Sequence, residues 1–251
     1  QITELTKSIY KYGGFYIGRY EAGSTTERQK SSSQTEEFVV QQDKYPYDYV
    51  KWGKDMSDVS EGAVYLCNNL YSSTNTNYGA TSMLCSGVSW DSMLDFVKDS
   101  SHSVTDSATW GNYYNSETYK VYRGSLYNSA WSTVNTTTGT EVTKNSSVLL
   151  TTGATERNCS KNIYDVAGNV FEWTLEGKQN ATVVSSTGIR LALLINSKVS
   201  PIRLAKASAS GPCVRRGGGY DLSGTGFPAS DRYGYEVAYS RDDIGFRVTL
   251  Y

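Results

Sequence analysis

Cysteine and histidine are the residue types here whose spacing could reveal metal or nucleophilic chemistry, and both are few. Cys67, Cys85, Cys159 and Cys213 lie far apart, with no Cys-x-x-Cys pair among them. Zinc sites place such ligands in close pairs, so this spacing does not favour zinc. The cysteines could form up to two disulfides, or they could be buried free thiols, because Cys67 and Cys85 lie in apolar stretches. The sequence leaves both alternatives open.

The single histidine also limits catalytic chemistry. His102 lies in a Ser-rich stretch without a flanking nucleophile motif, so we expect an ordinary surface residue rather than part of a Ser-His-acid triad. Calcium-dependent sugar recognition usually shows Glu-Pro-Asn or Gln-Pro-Asp with a later Trp-Asn-Asp, and none of these tripeptides occurs. The sequence therefore supports neither a histidine-centred catalytic triad nor a classical calcium-dependent lectin site.

Composition bounds the class of protein. In 251 residues, 24 Lys and Arg balance 25 Asp and Glu, which argues against a nucleic-acid partner. No apolar run is long enough to span a bilayer. The 21 Tyr and 23 Gly, in a chain rich in Ser, Thr and Asn, are typical of a recognition surface and equally of a polar, loop-rich β protein. Because the sequence does not begin with Met, we expect a piece of a longer chain.

Hydrophobic periodicity predicts a few elements that would position such a surface. Alternation from Gly14 to Ala22 predicts a strand. Helical spacing predicts an amphipathic helix from Asp58 to Tyr71, with Ser60 as its cap, and a second helix from Trp90 to Phe96 with its apolar side chains inward. Residues 99–148 show little periodicity, so we expect long irregular structure with short strands there.

Four motifs follow one another along the chain. The most specific runs from Asn162 to Trp173 and reads N-I-Y-D-V-A-G-N-V-F-E-W. The others are F-x-I-x-x-Y-E at Phe15 to Glu21, Val88-Ser89-Trp90-Asp91, and an ending that combines Arg216-Gly217-Gly218 with Gly245-Phe246-Arg247. In this order they resemble the formylglycine-generating-enzyme (sulfatase-modifying-factor) domains. The resemblance implies one α+β domain over residues 1–251, with a C-type-lectin-like fold of that type, much irregular structure and an insertion at 177–213.

The enzymes of that family depend on chemistry that this sequence lacks. They use a cysteine pair between the R-G-G and G-F-R motifs, which binds copper and engages the substrate thiol. No cysteine occurs from Val214 to Tyr251, and Cys213 precedes the first motif alone. The related iron-dependent sulfoxide synthases need several histidine ligands. We therefore expect no enzymatic activity and keep an oxidase of this family as an alternative.

The resemblance also implies a structural calcium ion in the G-N-V-x-E-W loop. Its oxygen ligands would be Asp165, Gly168, Val170 and Glu172, two through side chains and two through backbone carbonyls, and hard oxygen ligands suit Ca²⁺. The alternative is purely structural: Asp165 caps a turn, Asn169 hydrogen-bonds backbone and Glu172 pairs with an arginine. Both interpretations stay open at this point.

The segment 219–243, between the R-G-G and G-F-R motifs, has no strand or helix period. This layout resembles the variable proteins of diversity-generating retroelements, in which adenine replacement turns AAY codons into NNY codons. Such codons cannot encode Lys, Glu, Gln, Trp or Met. Those five types make up 39 of the 251 residues, yet Glu236 is their sole member within 219–243. The alternative is a polar loop in an ordinary family member.

The resemblance predicts a ligand-binding surface in this segment, with binding energy mainly from its aromatic residues. The predicted contact residues are Tyr220, Asp221, Leu222, Thr225, Phe227, Asp231, Tyr233, Tyr235, Val237, Tyr239, Asp242 and Asp243. The aspartates indicate an acidic surface and a partner with a positive patch. We expect a bacterial or phage protein, extracellular, cell-surface or virion-associated, that recognises a protein or glycan on a target cell. A carbohydrate adhesin of fixed specificity is a further alternative.

Overall fold

The computed structural model describes residues 2–70, 80–121, 126–127, 133–135, 140–177 and 211–251. The helices in these ranges are α1 (Ile2–Tyr12), α2 (Gly62–Leu70) and α3 (Gly87–Val97), with a 3₁₀ turn at Glu156–Asn158. The strands are β1 (Tyr16–Ile17), β2 (Gly23–Ser24), β3 (Tyr45–Pro46), β4 (Ser82–Leu84), β5 (Tyr119–Val121), β6 (Leu126–Tyr127), β7 (Thr133–Asn135), β8 (Thr140–Val142), β9 (Leu149–Leu150), β10 (Cys159–Ser160), β11 (Ile163–Tyr164), β12 (Phe171–Gly177), β13 (Cys213–Arg216), β14 (Tyr233–Tyr235), β15 (Ile244–Phe246) and β16 (Val248–Leu250). The described chain is thus a mixed α and β structure with few helices and small sheets.

The central sheet has the strand order β14-β13-β12-β15. Strand β12 pairs antiparallel with β13, where Glu172 faces Arg216, and parallel with β15, where Phe171 faces Ile244. Strand β14 pairs antiparallel with the other edge of β13. The sheet therefore brings the N-x-Y-D-x-x-G-N-V-x-E-W, R-G-G and G-F-R motifs side by side.

A second sheet, in the order β1-β16-β4, joins the two ends of the described chain. Tyr16 pairs with Leu250, and Val248 pairs with Leu84. The smaller sheets are the pairs β2-β3, β5-β8 and β10-β11 and the three-stranded β7-β6-β9.

Buried tryptophans join the sheets to the loops around them. Trp173 on β12 is fully buried and donates its indole N–H to the carbonyl of Val50 at 2.9 Å. Trp52 donates to the carbonyl of Thr174 at 2.8 Å, so the loop around residue 50 is bonded twice to β12. Each indole thus buries a large apolar area while its one polar group stays hydrogen-bonded.

The predicted elements exist, with different bounds. The segment predicted as a strand from Gly14 to Ala22 is β-paired at Tyr16–Ile17, although Ala22 still donates its N–H to the carbonyl of Phe246. Helix α2 begins at Gly62 rather than behind Ser60, because Gly62 has a φ of +84° and lies against Lys51. A Cβ at Gly62 would lie 2.6 Å from the Lys51 carbonyl oxygen, so this turn into the helix requires glycine.

Helix α3 also begins earlier than predicted. Ser86 is its N-cap and accepts a hydrogen bond from the backbone N–H of Ser89 at 3.0 Å. Trp90, Met93 and Leu94 are buried as predicted, but Phe96 is 53% exposed. Phe96 follows Leu94 by two positions, which on a helix places it on a different face.

Several other predictions can be compared with this architecture. Residues 99–148, where described, are irregular with short strands, as expected. All four cysteines are free thiols, so the disulfide alternative is wrong in this structure. The insertion predicted at 177–213 falls largely on residues 178–210, outside the described residues. In the part of the chain that is described, no helix combines the length and apolar character needed to cross a membrane.

Candidate ligand-binding surface

Both ends of the segment 219–243 are held by the central sheet. At its start, Gly217 and Gly218 adopt φ values of +92° and +78°, and a Cβ on Gly218 would lie 2.2 Å from the carbonyl oxygen of Phe227. Glycine is therefore required by the backbone at this turn. At its end, Ile244 enters β15 beside Phe171. The segment thus leaves and rejoins the framework on the two sides of β12.

Four aromatic residues of the segment form one continuous row, which we call the aromatic row: Phe227, Tyr233, Tyr235 and Tyr239. The ring centroids of Phe227 and Tyr233 lie 6.1 Å apart, those of Tyr233 and Tyr235 5.8 Å, and those of Tyr235 and Tyr239 3.8 Å in a stacked arrangement. Tyr233 is exposed and the other three are half-buried. The row therefore presents aromatic faces and hydroxyls at the surface while its members support one another.

A buried arginine lies beneath this row. The guanidinium carbon of Arg215 is 3.7 Å from the ring centroid of Phe171, 4.7 Å from that of Tyr235 and 5.5 Å from that of Tyr233. Arg215 is only 5% exposed, and burial lowers the pKa of its guanidinium. Its Nη1 lies 3.6 Å from Oδ2 of Asp243. The row is thus built on a cation held between aromatic faces.

The three aspartates Asp221, Asp242 and Asp243 surround Arg241, and we call this group the aspartate cluster. Nη2 of Arg241 is 3.4 Å from Asp221 Oδ2, and its Nε is 3.7 Å from Asp242 Oδ1 and 3.3 Å from Asp243 Oδ1. Burial raises the pKa of Asp243 to about 6. The expected acidic surface is thus largely neutralised by the chain's own Arg241 and Arg215.

Two of the predicted contact residues are buried and need correction. Tyr220 is 1% exposed; its hydroxyl donates to Asp242 Oδ2 at 2.9 Å and its backbone N–H to the carbonyl of Asn169. Asp243 is also 1% exposed. Tyr220 packs against Leu149 and Val170, and Asp243 lies beside Arg215. Both side chains therefore support the surface and offer a ligand almost no exposed area.

The remaining predicted residues lie in two places. Leu222 and Thr225 lie beside the loop 106–115, where Thr225 donates to Asp106 Oδ1 at 3.1 Å. The Val237 carbonyl accepts the backbone N–H of Trp52 at 3.1 Å, close to the aromatic row. Asp231 contributes its carbonyl, which accepts Arg216 Nε at 2.7 Å. The predicted contact residues therefore lie in separate places, some beside the loop 106–115 and others near the aromatic row.

A ring of four charges, which we call the charge ring, anchors strand β14. Arg216 reaches Asp91 Oδ1 at 2.9 Å and Glu176 Oε2 at 3.0 Å. Arg232 reaches the other oxygen of Glu176 at 2.8 Å and also pairs with Asp91. Alternating charges in a closed ring compensate one another despite burial of both arginines. Arg232 thus belongs to the framework although it lies within 219–243.

Sequence reasoning missed Tyr49, which adjoins the aspartate cluster. Its backbone N–H donates to the carbonyl of Arg241 at 2.9 Å, and its φ of +49° is uncommon for a residue with a Cβ. Burial raises the pKa of the Tyr49 hydroxyl, and Asp242 adds to this. No local pattern around Tyr49 indicates this contact, because the partners are far apart in sequence. Arg241 was open to prediction, since it directly precedes two aspartates.

The residues predicted to bind calcium have partners within the protein. Both carboxylate oxygens of Glu172 face Arg247, with Nη2 to Oε1 at 2.7 Å and Nε to Oε2 at 3.0 Å. Asp165 Oδ2 accepts the N–H of Gly153 at 2.6 Å. Gly168 makes a close backbone turn and Val170 is buried. Among the described residues no group of three or more His, Cys, Asp or Glu is arranged to hold a metal.

Instead, Glu21, Asp165, Glu172 and Arg247 form a buried charge cluster, which we call the core cluster. Asn169 donates its amide to Glu21 Oε1. Burial raises the pKa of Glu21 well above its ordinary range, and Asp165 and Glu172 raise it further. Arg247 supplies a positive charge next to Glu172, as in the structural alternative for this loop.

Neither His102 nor Cys213 offers a reactive group to the surface, although Cys213 lies opposite Tyr235 in the sheet. His102 Nδ1 is 2.8 Å from Asp99 Oδ1, and its ring meets the edge of Trp110. Cys213 is 1% exposed, and burial raises the pKa of its thiol. Its Sγ lies 3.7 Å from Met56 Sδ. A buried, protonated thiol of this kind is a poor nucleophile and a poor metal ligand.

Comparison with known proteins gives a structural likeness but no match in sequence. No protein-family model matches the chain, and no curated protein matches it. One similar solved structure is Treponema denticola variable protein 1, which is 14% identical, with a TM-score of 0.47. The alignment covers 94% of this chain and 84% of that one.

Proposed function

We propose that this chain is a non-enzymatic ligand-binding protein whose segment 219–243 is a diversified surface. It has the C-type-lectin-like fold of the formylglycine-generating-enzyme type and is a variable protein of a diversity-generating retroelement. The protein belongs to a bacterium or phage and acts outside the cell or on a virion. Its partner is a protein or glycan on a target cell surface.

One observation carries this proposal. Residues of the framework motifs, Arg216, Gly217, Gly218, Phe246 and Arg247, are buried and bonded, whereas the aromatic row between them reaches the surface. Substitutions at surface positions usually change the free energy of unfolding by about 0.5 kcal/mol or less. A segment held at both ends by a rigid sheet can therefore vary its outward side chains and keep its fold.

The oxidase alternative finds less support. The chain from Val214 to Tyr251 contains no cysteine, and Cys213 is buried in an apolar setting beside Met56. Copper chemistry needs accessible thiolates. A thiol with a raised pKa and almost no exposure does not meet that need.

Sequencing the 3′ end of this gene across its source population tests the proposal. We expect substitutions at outward positions such as Leu222, Thr225, Tyr233, Tyr235 and Tyr239, carried by NNY codons. The codons of Arg216 to Gly218 and of Gly245 to Arg247 serve as the internal control and should not vary. Uniformly low variation across both sets would contradict a diversified surface and return the chain to a fixed adhesin.

A further inference from the structure

The aspartate cluster holds its arginine loosely. Arg241 is 45% exposed, and its three contacts with carboxylate oxygens, at 3.3, 3.4 and 3.7 Å, are longer than the usual charge-assisted hydrogen bond of about 2.7–2.9 Å. Its side chain also hydrogen-bonds Tyr239. Its backbone is held separately, because its carbonyl accepts the N–H groups of Tyr49 and Ile244. The side chain can therefore leave the cluster while the main chain stays in place.

Two carboxylate oxygens in the cluster have hydrogen-bonding capacity to spare. Asp221 Oδ1 and Asp243 Oδ1 are buried atoms, and neither accepts a hydrogen bond. A buried acceptor without a donor carries a desolvation penalty. Asp243 is almost fully buried and directs Oδ1 at Arg241, 3.3 Å away. Both oxygens can therefore accept a hydrogen bond from a donor whose geometry is better than that of the Arg241 side chain.

Charge and shape at this place favour a planar cation. The three aspartates outnumber Arg215 and Arg241, so the group keeps a net negative charge when all of its members are ionised. Tyr233, Tyr235 and Tyr239 add aromatic faces next to it. Arginine matches both features, since it stacks on rings and donates in a fork to carboxylates. Arg215 already stacks in this way on the inner side of the same tyrosines.

We propose that the aspartate cluster and the adjoining tyrosines bind an arginine side chain of a partner protein, and that Arg241 is an internal occupant which this arginine displaces. The proposal rests on the proposed ligand-binding function and names the chemical group recognised at that surface. Arg241 then acts as an intramolecular competitor, which weakens the binding of every external guanidinium.

The test compares the wild-type chain with Arg241→Ala in titrations with three capped tripeptides, Gly-Arg-Gly, Gly-citrulline-Gly and Gly-Glu-Gly. Citrulline keeps the size and planarity of arginine but carries no charge. We expect Arg241→Ala to bind the arginine peptide about tenfold or more tightly than wild type, with no such gain for the other two peptides. Arg19→Ala removes an exposed arginine outside the cluster and should bind like wild type.

A second variant ties the gain to the carboxylates. In the Arg241→Ala background, Asp221→Asn keeps the side-chain shape and removes one charge, so the gain should be lost. Circular dichroism and the urea midpoint of each variant establish that it is folded. Equal binding of arginine and citrulline peptides by Arg241→Ala, or no binding of either, would overturn the proposal.

The two proposals can fail separately. If codons 220–243 vary in the population while the arginine peptide never binds, the proposal of a diversified surface is supported and the proposal of an arginine site is contradicted. If those codons do not vary but the peptide binds with the expected pattern, the site belongs to a protein of fixed specificity.

Discussion

Arg247 and Glu172 face each other inside the protein, with both side chains fully buried and Nη2 2.7 Å from Oε1. The pair joins β12, which carries Glu172, to the turn between β15 and β16, which carries Arg247. Arg247 also donates hydrogen bonds to the carbonyls of Gly18 and Tyr164, both at 2.8 Å. One guanidinium thus connects both framework motifs with the first strand. This contact lies just beyond the C-terminal end of the segment 219–243.

Arg247→Met tests the importance of that contact for the fold. It leaves Glu172, Glu21 and Asp165 buried without their cation, and breaking a buried pair in this way costs about 3–5 kcal/mol. Urea unfolding should show a corresponding loss. The matched control is Arg241→Met, because Arg241 is half-exposed with long ion contacts and should cost less than about 1 kcal/mol. Equal losses in both variants would contradict a special role for Arg247.

Because of the core cluster, we expect the free energy of unfolding to fall as pH rises above about 5. Burial raises the folded-state pKa of Glu21 well above its ordinary 4.5, so folding takes up a proton. The stability linked to that proton is fully present below the unfolded pKa and is lost as pH rises through the folded pKa. Asp165 and Glu172 shift in the same direction, also because of burial.

Glu21→Gln isolates this effect, since the amide is neutral at every pH. Between pH 5 and pH 8, the urea midpoint of Glu21→Gln should fall less than that of the wild-type chain. Glu117→Gln changes an exposed glutamate and should keep the wild-type slope. An unchanged slope in Glu21→Gln would show that Glu21 is not the group that takes up the proton.

A pair of tyrosines distinguishes outward positions from anchors within 219–243. Tyr233→Ser changes an exposed side chain and should alter the free energy of unfolding by less than about 1 kcal/mol. Tyr220→Ser empties a buried site and removes the hydrogen bond to Asp242, so about 3 kcal/mol should be lost. Thermal unfolding of the two variants measures the difference, and a larger loss for Tyr233→Ser is the contrary outcome.

Two glycines of the same region form a matched pair. Gly218→Ala meets the Phe227 carbonyl at 2.2 Å with φ at +78°, so we expect a loss of more than about 2 kcal/mol. At Gly226 the nearest atom to an added Cβ is 3.8 Å away, and Gly226→Ala should be close to neutral. Chemical denaturation of both variants tests whether the R-G-G turn itself demands glycine. Similar free energies for the two would argue against this.

The thiols offer a test that needs no substitution. Cys159 is half-buried, whereas Cys67, Cys85 and Cys213 are buried with thiol pKa values raised by burial. A thiol reagent should therefore label Cys159 first in the native protein and the other three after denaturation, as read by mass spectrometry of peptides. Early labelling of Cys213 would contradict the expectation that its thiol is buried and unreactive.

The sequence predicted the residues whose roles are set locally or by a motif. The framework motifs that contain Glu172, Arg216 and Gly245 were recognisable in order, and the central sheet brings them side by side. The inward face of α3 followed from the spacing of Trp90, Met93 and Leu94. Helix starts were less accurate, because a turn at Gly62 and a cap at Ser86 decide them.

The membership of the surface was decided only by the tertiary structure. Tyr220 and Tyr233 are the same residue type in the same aperiodic segment, yet the sheet buries one and exposes the other. Arg232 belongs to the same segment, yet its side chain pairs with Asp91 and Glu176 outside it. Burial and charge pairing depend on which distant parts of the chain meet, and no local period encodes that where a segment is neither strand nor helix.

The framework motifs and their order could be identified from the sequence alone. The tertiary structure decided which charges meet. It paired Glu172 with Arg247 and placed Tyr49 against the backbone of Arg241. Backbone geometry at a turn is a property of adjacent residues, whereas the electrostatics of a buried site follow from contacts across the whole fold.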